Sequence, residues 1–135
     1  MSDPSVTFEG FSLPVVDLQR SIAFYELLGF TTEIRNERAH FALLRLGSGT
    51  LGLLQVGNAS GHPNDLSPSL RRLVQVELST DDLDELYMQL GAKGVTVHVP
   101  PRDRGFERSM QCLDPDGFTV EFAQGRRGHN ATRPS

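Results

Sequence analysis

Two stretches of this sequence decide its fold. Residues 15–30 read VVDLQRSIAFYELLGF, and residues 114–122 read DPDGFTVEF. In the first stretch, Asp17 suits the start of a helix because its carboxylate can accept from free backbone N–H groups, and Gly29 suits the left-handed position that ends one. The second stretch is a tight Asp-Pro-Asp-Gly turn followed by a strand. Together they predict a strand and helix that open the fold and a strand that closes it.

The pattern of the first stretch returns later in the chain. Asp82 and Gly94 follow Asp17 and Gly29 by 65 residues each. Between them, apolar residues recur at helical spacing on one face. These are Leu83, Leu86, Tyr87 and Leu90. The spacing predicts two copies of one strand–helix–strand–strand–strand unit, and the alternative is two unrelated amphipathic helices with similar caps.

The repeat predicts how the chain is organised. A length of 135 residues fits one α+β domain, 1–135. The expected parts are a first βαβββ module at 8–56, a linker at 57–72, a second module at 73–123 and a flexible tail at 124–135. The expected strands are 10–16, 30–35, 39–46, 50–56, 73–79, 95–99, 108–113 and 118–123.

Composition limits the partners and the location. A net charge of −4 argues against nucleic acid, which needs a basic face. The lone Cys112 cannot form an internal disulfide, so a reducing compartment is expected. No signal peptide and no membrane-spanning apolar run are visible, which predicts a cytoplasmic protein. A homodimer is expected because exposed sheet edges are usually paired or covered.

On the two quoted stretches, the chain resembles the vicinal oxygen chelate superfamily, which includes glyoxalases, bleomycin-resistance proteins and extradiol dioxygenases. The resemblance spans about residues 8 to 123. It implies that two βαβββ repeats form a curved mixed sheet around a cleft, with the helices outside, and that a second subunit often completes the cleft. Because unlike chemistries share this fold, the resemblance predicts the fold better than the function.

The resemblance also implies where a metal would be held. Metal-using members place one His or Glu on each of four strands, and these positions fall here on Gly10, Gly52, Gln75 and Glu121. Glycine has no side-chain ligand, Gln is a weak oxygen ligand, and a catalytic site normally keeps about three protein ligands. We therefore predict no metal at these positions and no cofactor.

Strand alternation predicts the ligand-binding residues. Successive side chains point to opposite faces of a sheet, so one face is apolar and seats the helices, while the other is mixed. The mixed face carries Ser12, Gln75, Glu77 and Glu121. If this face lines the cleft, these residues bind the ligand; the alternative is simple exposure to solvent. Arg104 and Phe106 are expected at the mouth, where they could clamp an anionic or planar ligand, or they belong to a solvated loop.

The remaining histidines and the cysteine are expected to be structural. None of the four histidines pairs at a metal-ligand spacing; they are His40, His62, His98 and His129. His40 is predicted in a strand, and His62 and His129 are predicted to be solvated. Cys112 is predicted to be a small buried hydrophobe.

Two functions remain open at this point. The first is a small-molecule-binding protein that lacks the family metal ligands and sequesters a drug or metabolite, with Glu77 and Glu121 favouring a cationic guest. The second is a family enzyme, a lyase, isomerase or dioxygenase, that uses Glu121 as acid or base or has an incomplete metal site. A structural role as a small dimeric partner is a third possibility.

Overall fold

The computed structural model describes residues 3–57 and 64–125. Along the chain the elements are β1 (Gly10–Val15), α1 (Leu18–Leu27), β2 (Thr31–Asn36), β3 (Phe41–Leu46), β4 (Gly49–Gln55), α2 (Pro68–Leu73), β5 (Gln75–Ser79), α3 (Leu83–Ala92), β6 (Val97–Asp103), β7 (Arg108–Leu113) and β8 (Thr119–Gln124). Neither described range contains a helix long and apolar enough to cross a membrane.

The strands form two four-stranded sheets, in the orders β1-β4-β3-β2 and β5-β8-β7-β6. In each sheet the first strand pairs in parallel with the last strand of the same repeat, and the other pairs are antiparallel. The α+β class and the two βαβββ repeats are therefore confirmed. Hydrogen bonding gives each repeat a sheet of its own, where we expected one sheet shared by both. The chain divides into two compact units, one ending at Asn64 and one beginning at Asp65.

Both long helices begin in the same way, as the repeat predicts. A carboxylate oxygen of Asp17 accepts from the backbone N–H of Arg20 at 3.1 Å, and Asp82 does the same for Glu85 at 3.1 Å. A carboxylate at this position satisfies an N–H group that has no partner inside the helix. The equivalent caps confirm that the two units share one plan.

A glutamine completes each helix start. The backbone N–H of Leu18 donates to Oε1 of Gln55 at 3.0 Å, and that of Leu83 donates to Oε1 of Gln124 at 2.8 Å. Each glutamine is the last residue of the last strand of its repeat, Gln55 in β4 and Gln124 in β8. Each helix is therefore tied to the closing strand of its own unit.

Both helices also end in the same way. Gly29 and Gly94 have φ values of 113° and 86°. An L side chain is strained at such angles, whereas glycine is not. The next residues, Phe30 and Val95, donate backbone N–H bonds back into the last helical turn and bury their side chains.

The described part of the segment between the repeats, 64–72, is partly helical, which was not predicted. The expected linker 57–72 contains most of α2, which Ser67 caps and Pro68 opens. Proline suits the first helical position because its missing N–H has no partner there. As a result, β5 begins at Gln75 instead of residue 73, and the Leu73 side chain is exposed.

Strand β6 also differs from the prediction. It runs over 97–103 instead of 95–99, and its pairing with β7 shifts register twice. Pro100 and Pro101 lie inside it, within the second register shift, where an edge strand tolerates residues that have no N–H group to donate to the ladder. The loop that carries Arg104 and Phe106 is correspondingly short.

Alternation places the core as predicted. In the second unit, Val76, Met110, Cys112, Val120 and Phe122 are all buried on one face of the sheet. In the first unit, the buried apolar side chains of the sheet are those of Leu13, Val15, Ala42, Leu44, Leu51 and Leu53. The candidate binding residues on the strands lie on the opposite faces of the two sheets.

Candidate functional site

A row of polar residues crosses the second sheet on the face opposite its core. Glu121 on β8 is the register partner of Glu77 on β5 and of Gln111 on β7. Only 4% of Glu121 is exposed, whereas Glu77 is exposed and Gln111 is half-buried. The row therefore combines one buried carboxylate, one exposed carboxylate and an amide.

Two side chains hold the buried carboxylate. Oε2 of Glu121 accepts from Nε2 of Gln111 at 3.1 Å and from Nη1 of Arg104 at 3.3 Å. Burying a carboxylate is costly unless it is hydrogen-bonded or paired with a cation, and here it is both. The Arg104 side chain is 36% exposed and the Glu121 side chain is 5% exposed. The guanidinium is therefore accessible to solvent, while the carboxylate with which it pairs is buried.

Arg104 is presented by the tip of the β6–β7 hairpin. Its backbone N–H donates to the carbonyl of Glu107 at 2.8 Å, and the N–H of Gly105 donates to Oδ1 of Asp103 at 2.8 Å. The Arg104 guanidinium lies 5.5 Å from the centre of the Phe106 ring. Phe106 is 70% exposed. The guanidinium thus contacts an aromatic face as well as a carboxylate.

Of the site residues predicted in this unit, Glu121 and Arg104 are in direct contact, and Phe106 contacts Arg104. Gln75 lies on the same face, as the register partner of Thr119, and is exposed. Sequence reasoning missed Gln111. Its position between the buried Met110 and Cys112 was the available signal, because alternation places it on the mixed face.

The first unit has the same face with different residues. Gly52 on β4 is the register partner of Ser12 on β1 and of Leu43 on β3. An open pocket of about 180 Å³ on this face is lined by Glu9, Gly10, Phe11, Ser12, Leu43, Thr50 and Gly52. The first unit therefore has small side chains and a pocket where the second unit has Glu77, Glu121 and Gln111.

Comparison with known proteins shows to which superfamily this architecture belongs. A sequence profile of the Glyoxalase/Bleomycin resistance protein/Dioxygenase superfamily matches residues 7–122. The chain belongs to this superfamily. An uncharacterized protein of Mycolicibacterium smegmatis is 33% identical to it over 110 residues, which cover 82% of this chain and 86% of that protein. The resemblance anticipated from the sequence is confirmed.

Solved structures agree with this assignment. A glyoxalase/bleomycin resistance protein/dioxygenase from Nocardioides has a TM-score of 0.72 at 24% identity, covering 91% of this chain and 85% of that one. A bleomycin resistance determinant encoded on the transposon Tn5 has a TM-score of 0.66 at 26% identity, covering 90% of this chain and all of that one. These similarities concern the fold of each protein and leave the chemistry of the site to its residues.

Two of the positions at which the resemblance predicts metal ligands, Gly10 and Gly52, lie where neighbouring atoms pack closely. A Cβ atom at Gly10 would lie 2.0 Å from the carbonyl oxygen of Thr50, and the φ of Gly10 is 151°. A Cβ atom at Gly52 would lie 2.2 Å from Oγ of Ser12. Gly10 is therefore required by packing, because the backbone carbonyl of Thr50 cannot move aside, whereas at Gly52 the side chains of Ser12 and Phe41 would have to shift. Within 3–57 and 64–125, no three His, Cys, Asp or Glu residues are grouped to hold a metal ion.

The described histidines and Cys112 are not members of the polar row. His40 was predicted in a strand but lies in the turn before β3, with a φ of 52°. His98 is exposed on β6, and His62 and His129 fall outside the described residues. Cys112 is fully buried, as predicted. Burial, and secondarily the carboxylate of Asp114, raises the pKa of its thiol to about 11, so it is not an activated nucleophile.

Proposed function

We propose that this chain binds a small organic molecule on the polar face of its second sheet, without a metal at the superfamily positions. The observation that carries the proposal is the buried Glu121 carboxylate, which Gln111 orients and Arg104 joins to solvent. An apolar side chain at this position would avoid the cost of burying a charge. Binding of a ligand through this carboxylate explains why a charged residue is placed here despite that cost.

The charges of the face favour a guest with a positive or hydrogen-bond-donating group. Glu77 and Glu121 place two carboxylates side by side on this face, and the Arg104 guanidinium pairs with that of Glu121. A desolvated carboxylate forms its strongest hydrogen bonds with cationic donors. The similarity to the bleomycin resistance determinant of Tn5 supports the same type of role. We propose that the chain sequesters a drug or a metabolite of this chemistry.

Ligand binding by charge variants tests the proposal. Compounds that raise the melting temperature, from a panel of antibiotics, amines and small carbonyl compounds, are titrated by calorimetry against the parent, Glu77→Gln and Glu121→Gln. Each substitution should weaken binding by about 1–3 kcal/mol if its carboxylate makes a charge-assisted bond. Glu37→Gln is the control, since Glu37 belongs to the first unit, forms a surface ion pair with Arg35 and has a side chain that is 75% exposed.

Two outcomes would contradict the binding role. One is that Glu77→Gln and Glu121→Gln bind every hit as the parent does. The other is that both unfold, which would make the carboxylates structural. Turnover of a hit that is lost in Glu121→Gln would instead favour the family enzyme with Glu121 as acid or base.

The absence of a metal is tested separately. Elemental analysis of the purified protein should find no stoichiometric transition metal, because Gly10 and Gly52 supply no side-chain ligand. About one zinc, nickel, manganese or iron per chain, lost in Glu121→Ala, would overturn this part of the proposal.

A cytoplasmic location stays a prediction, and fractionation of the producing cells checks it.

A further inference from the structure

We propose that Arg104 is a built-in substitute for the cationic group of the ligand. Without ligand, the Arg104 guanidinium is hydrogen-bonded to the Glu121 carboxylate. A planar cationic group of the ligand displaces the guanidinium from the carboxylate. The inference rests on the proposed function, because it assumes that Glu121 is the ligand's partner. It adds the class of ligand, a guanidinium-like or amidinium-like cation, and the side chain that competes with it.

The Arg104–Glu121 contact has the character of a replaceable pair. Its N–O distance is 3.3 Å, whereas charge-assisted bonds of this type are commonly about 2.7–2.9 Å long. The carboxylate is enclosed and the guanidinium is at the solvent edge, with 5% and 36% of their side chains exposed. The anion is therefore fixed, while the cation can leave without crossing the interior.

Arg104 has a second partner to receive it. Its guanidinium already lies 5.5 Å from the centre of the exposed Phe106 ring, within the range of a cation–π contact. The backbone of the hairpin tip is held by the bonds from Arg104 to Glu107 and from Gly105 to Asp103. Release of Glu121 therefore requires only rotation of the Arg104 side chain.

The groups that stay in place when Arg104 moves away determine the shape and charge of the ligand that fits. Gln111 donates to Oε2 of Glu121 at 3.1 Å and keeps the carboxylate oriented when Arg104 moves away. The departing guanidinium is flat, delocalised and positive, and it leaves a space next to a carboxylate. A guanidinium or amidinium group matches that space in shape and charge. A compact ammonium ion matches the charge alone.

Methylguanidinium is the probe, and Arg104→Ala is the variant that should gain binding. Its affinity for methylguanidinium, measured by NMR titration at constant ionic strength, should exceed the parent's by about tenfold, which corresponds to one charge-assisted bond. Arg104→Gln tests the same point with a longer side chain if the alanine variant is unstable. Adding Glu121→Gln to either variant should abolish the gain.

Arg108→Ala is the matched control. Arg108 belongs to the same hairpin and forms an ion pair with Asp84 at 2.8 Å, so its removal changes the net charge equally. It should leave methylguanidinium binding near that of the parent. An equal gain in Arg108→Ala would reduce the effect to net charge and overturn the inference.

The remaining outcomes separate the inference from the proposed function. If neither Arg104 variant gains affinity while hits from the screen still depend on Glu121, Arg104 is not a substitute for the ligand but the binding site stands. If the Arg104 variants gain affinity while no hit depends on Glu77 or Glu121, the competition is supported at the level of the probe and the proposed function is wrong. Methylammonium binding as tightly as methylguanidinium in Arg104→Ala would overturn the planar ligand class.

Discussion

At the scale of single residues, Gly10 decides what the first unit can hold. A side chain there would collide with the backbone carbonyl of Thr50, which cannot move aside as a flexible side chain could. Its φ of 151° adds strain for any L residue. The glycine is therefore needed for the close approach of β1 to β4, independently of any ligand.

Replacing Gly10 should be much more harmful than replacing a glycine in open space. Gly10→Ala should lower the free energy of unfolding by about 2 kcal/mol or more, because of overpacking and strain. Gly91→Ala is the control: Gly91 lies in α3 with nothing near its Cβ position, so the change should stabilise by about 0.5–1 kcal/mol. Urea unfolding measures both. Equal effects would show that Gly10 is replaceable.

Cys112 should make stability depend on pH in the alkaline range. Its pKa is raised from 9.0 to about 11 in the folded chain, first by burial and then by Asp114. The thiol therefore contributes stability that is complete below pH 9 and is lost as the pH rises through 11. The loss should be about 3 kcal/mol, since each of the two pH units between 9 and 11 corresponds to about 1.4 kcal/mol.

Urea unfolding at pH 8, 10 and 11 checks this prediction on the parent and Cys112→Ala. Groups other than Cys112 titrate in both proteins, so the difference between the two pH profiles isolates the thiol. The parent should lose more stability than the variant between pH 9 and 11. Parallel profiles would mean that the thiol can ionise in place.

The candidate site was predictable only in part, and the reason is local. Alternation placed Glu121 on the mixed face because β8 is regular. The ion pair with Arg104 was beyond reach, since it depends on the two register shifts between β6 and β7. A shift of one residue reverses the face of every later side chain, and nothing in the sequence fixes where it occurs.

At the scale of elements, the caps show why the helices were predictable and their attachments were not. Asp17 and Asp82 act over three residues, so the local sequence reveals them. Gln55 acts across 37 residues and Gln124 across 41, so their roles emerge only when the strands are in place. The helix α2 was missed because its six residues give too short a pattern, although Ser67 and Pro68 are a typical start signal.

Removing either capping glutamine should destabilise the chain by about 1–2 kcal/mol, the cost of leaving a part-buried N–H group without its acceptor. The variants are Gln55→Ala and Gln124→Ala. Gln89→Ala is the control, because Gln89 only donates to Glu85 on the exposed surface of α3. Its loss should cost less than about 0.5 kcal/mol. If thermal or urea unfolding ranks all three variants alike, the caps are not significant.

At the scale of the whole molecule, the N-terminal segment offers apolar surface without a partner inside its own unit. Val6 and Phe8 are 92% and 88% exposed, and the segment lies outside any helix or strand. Both residues shortly precede β1 in the chain, so they add exposed apolar surface next to the start of that strand. Exposed segments that adjoin a strand commonly pair with another chain.

We therefore predict a homodimer that depends on this segment. Sedimentation equilibrium at micromolar concentration should give twice the mass of 14.9 kDa for the parent, and the double variant Val6→Ser with Phe8→Ser should shift the protein toward monomer. Met88→Ser is the control: Met88 is 68% exposed, but it lies on α3, whose backbone groups are already bonded within the helix. A monomeric parent would contradict the dimer. A dimer that only Met88→Ser weakens would place the contact on the helical surface instead.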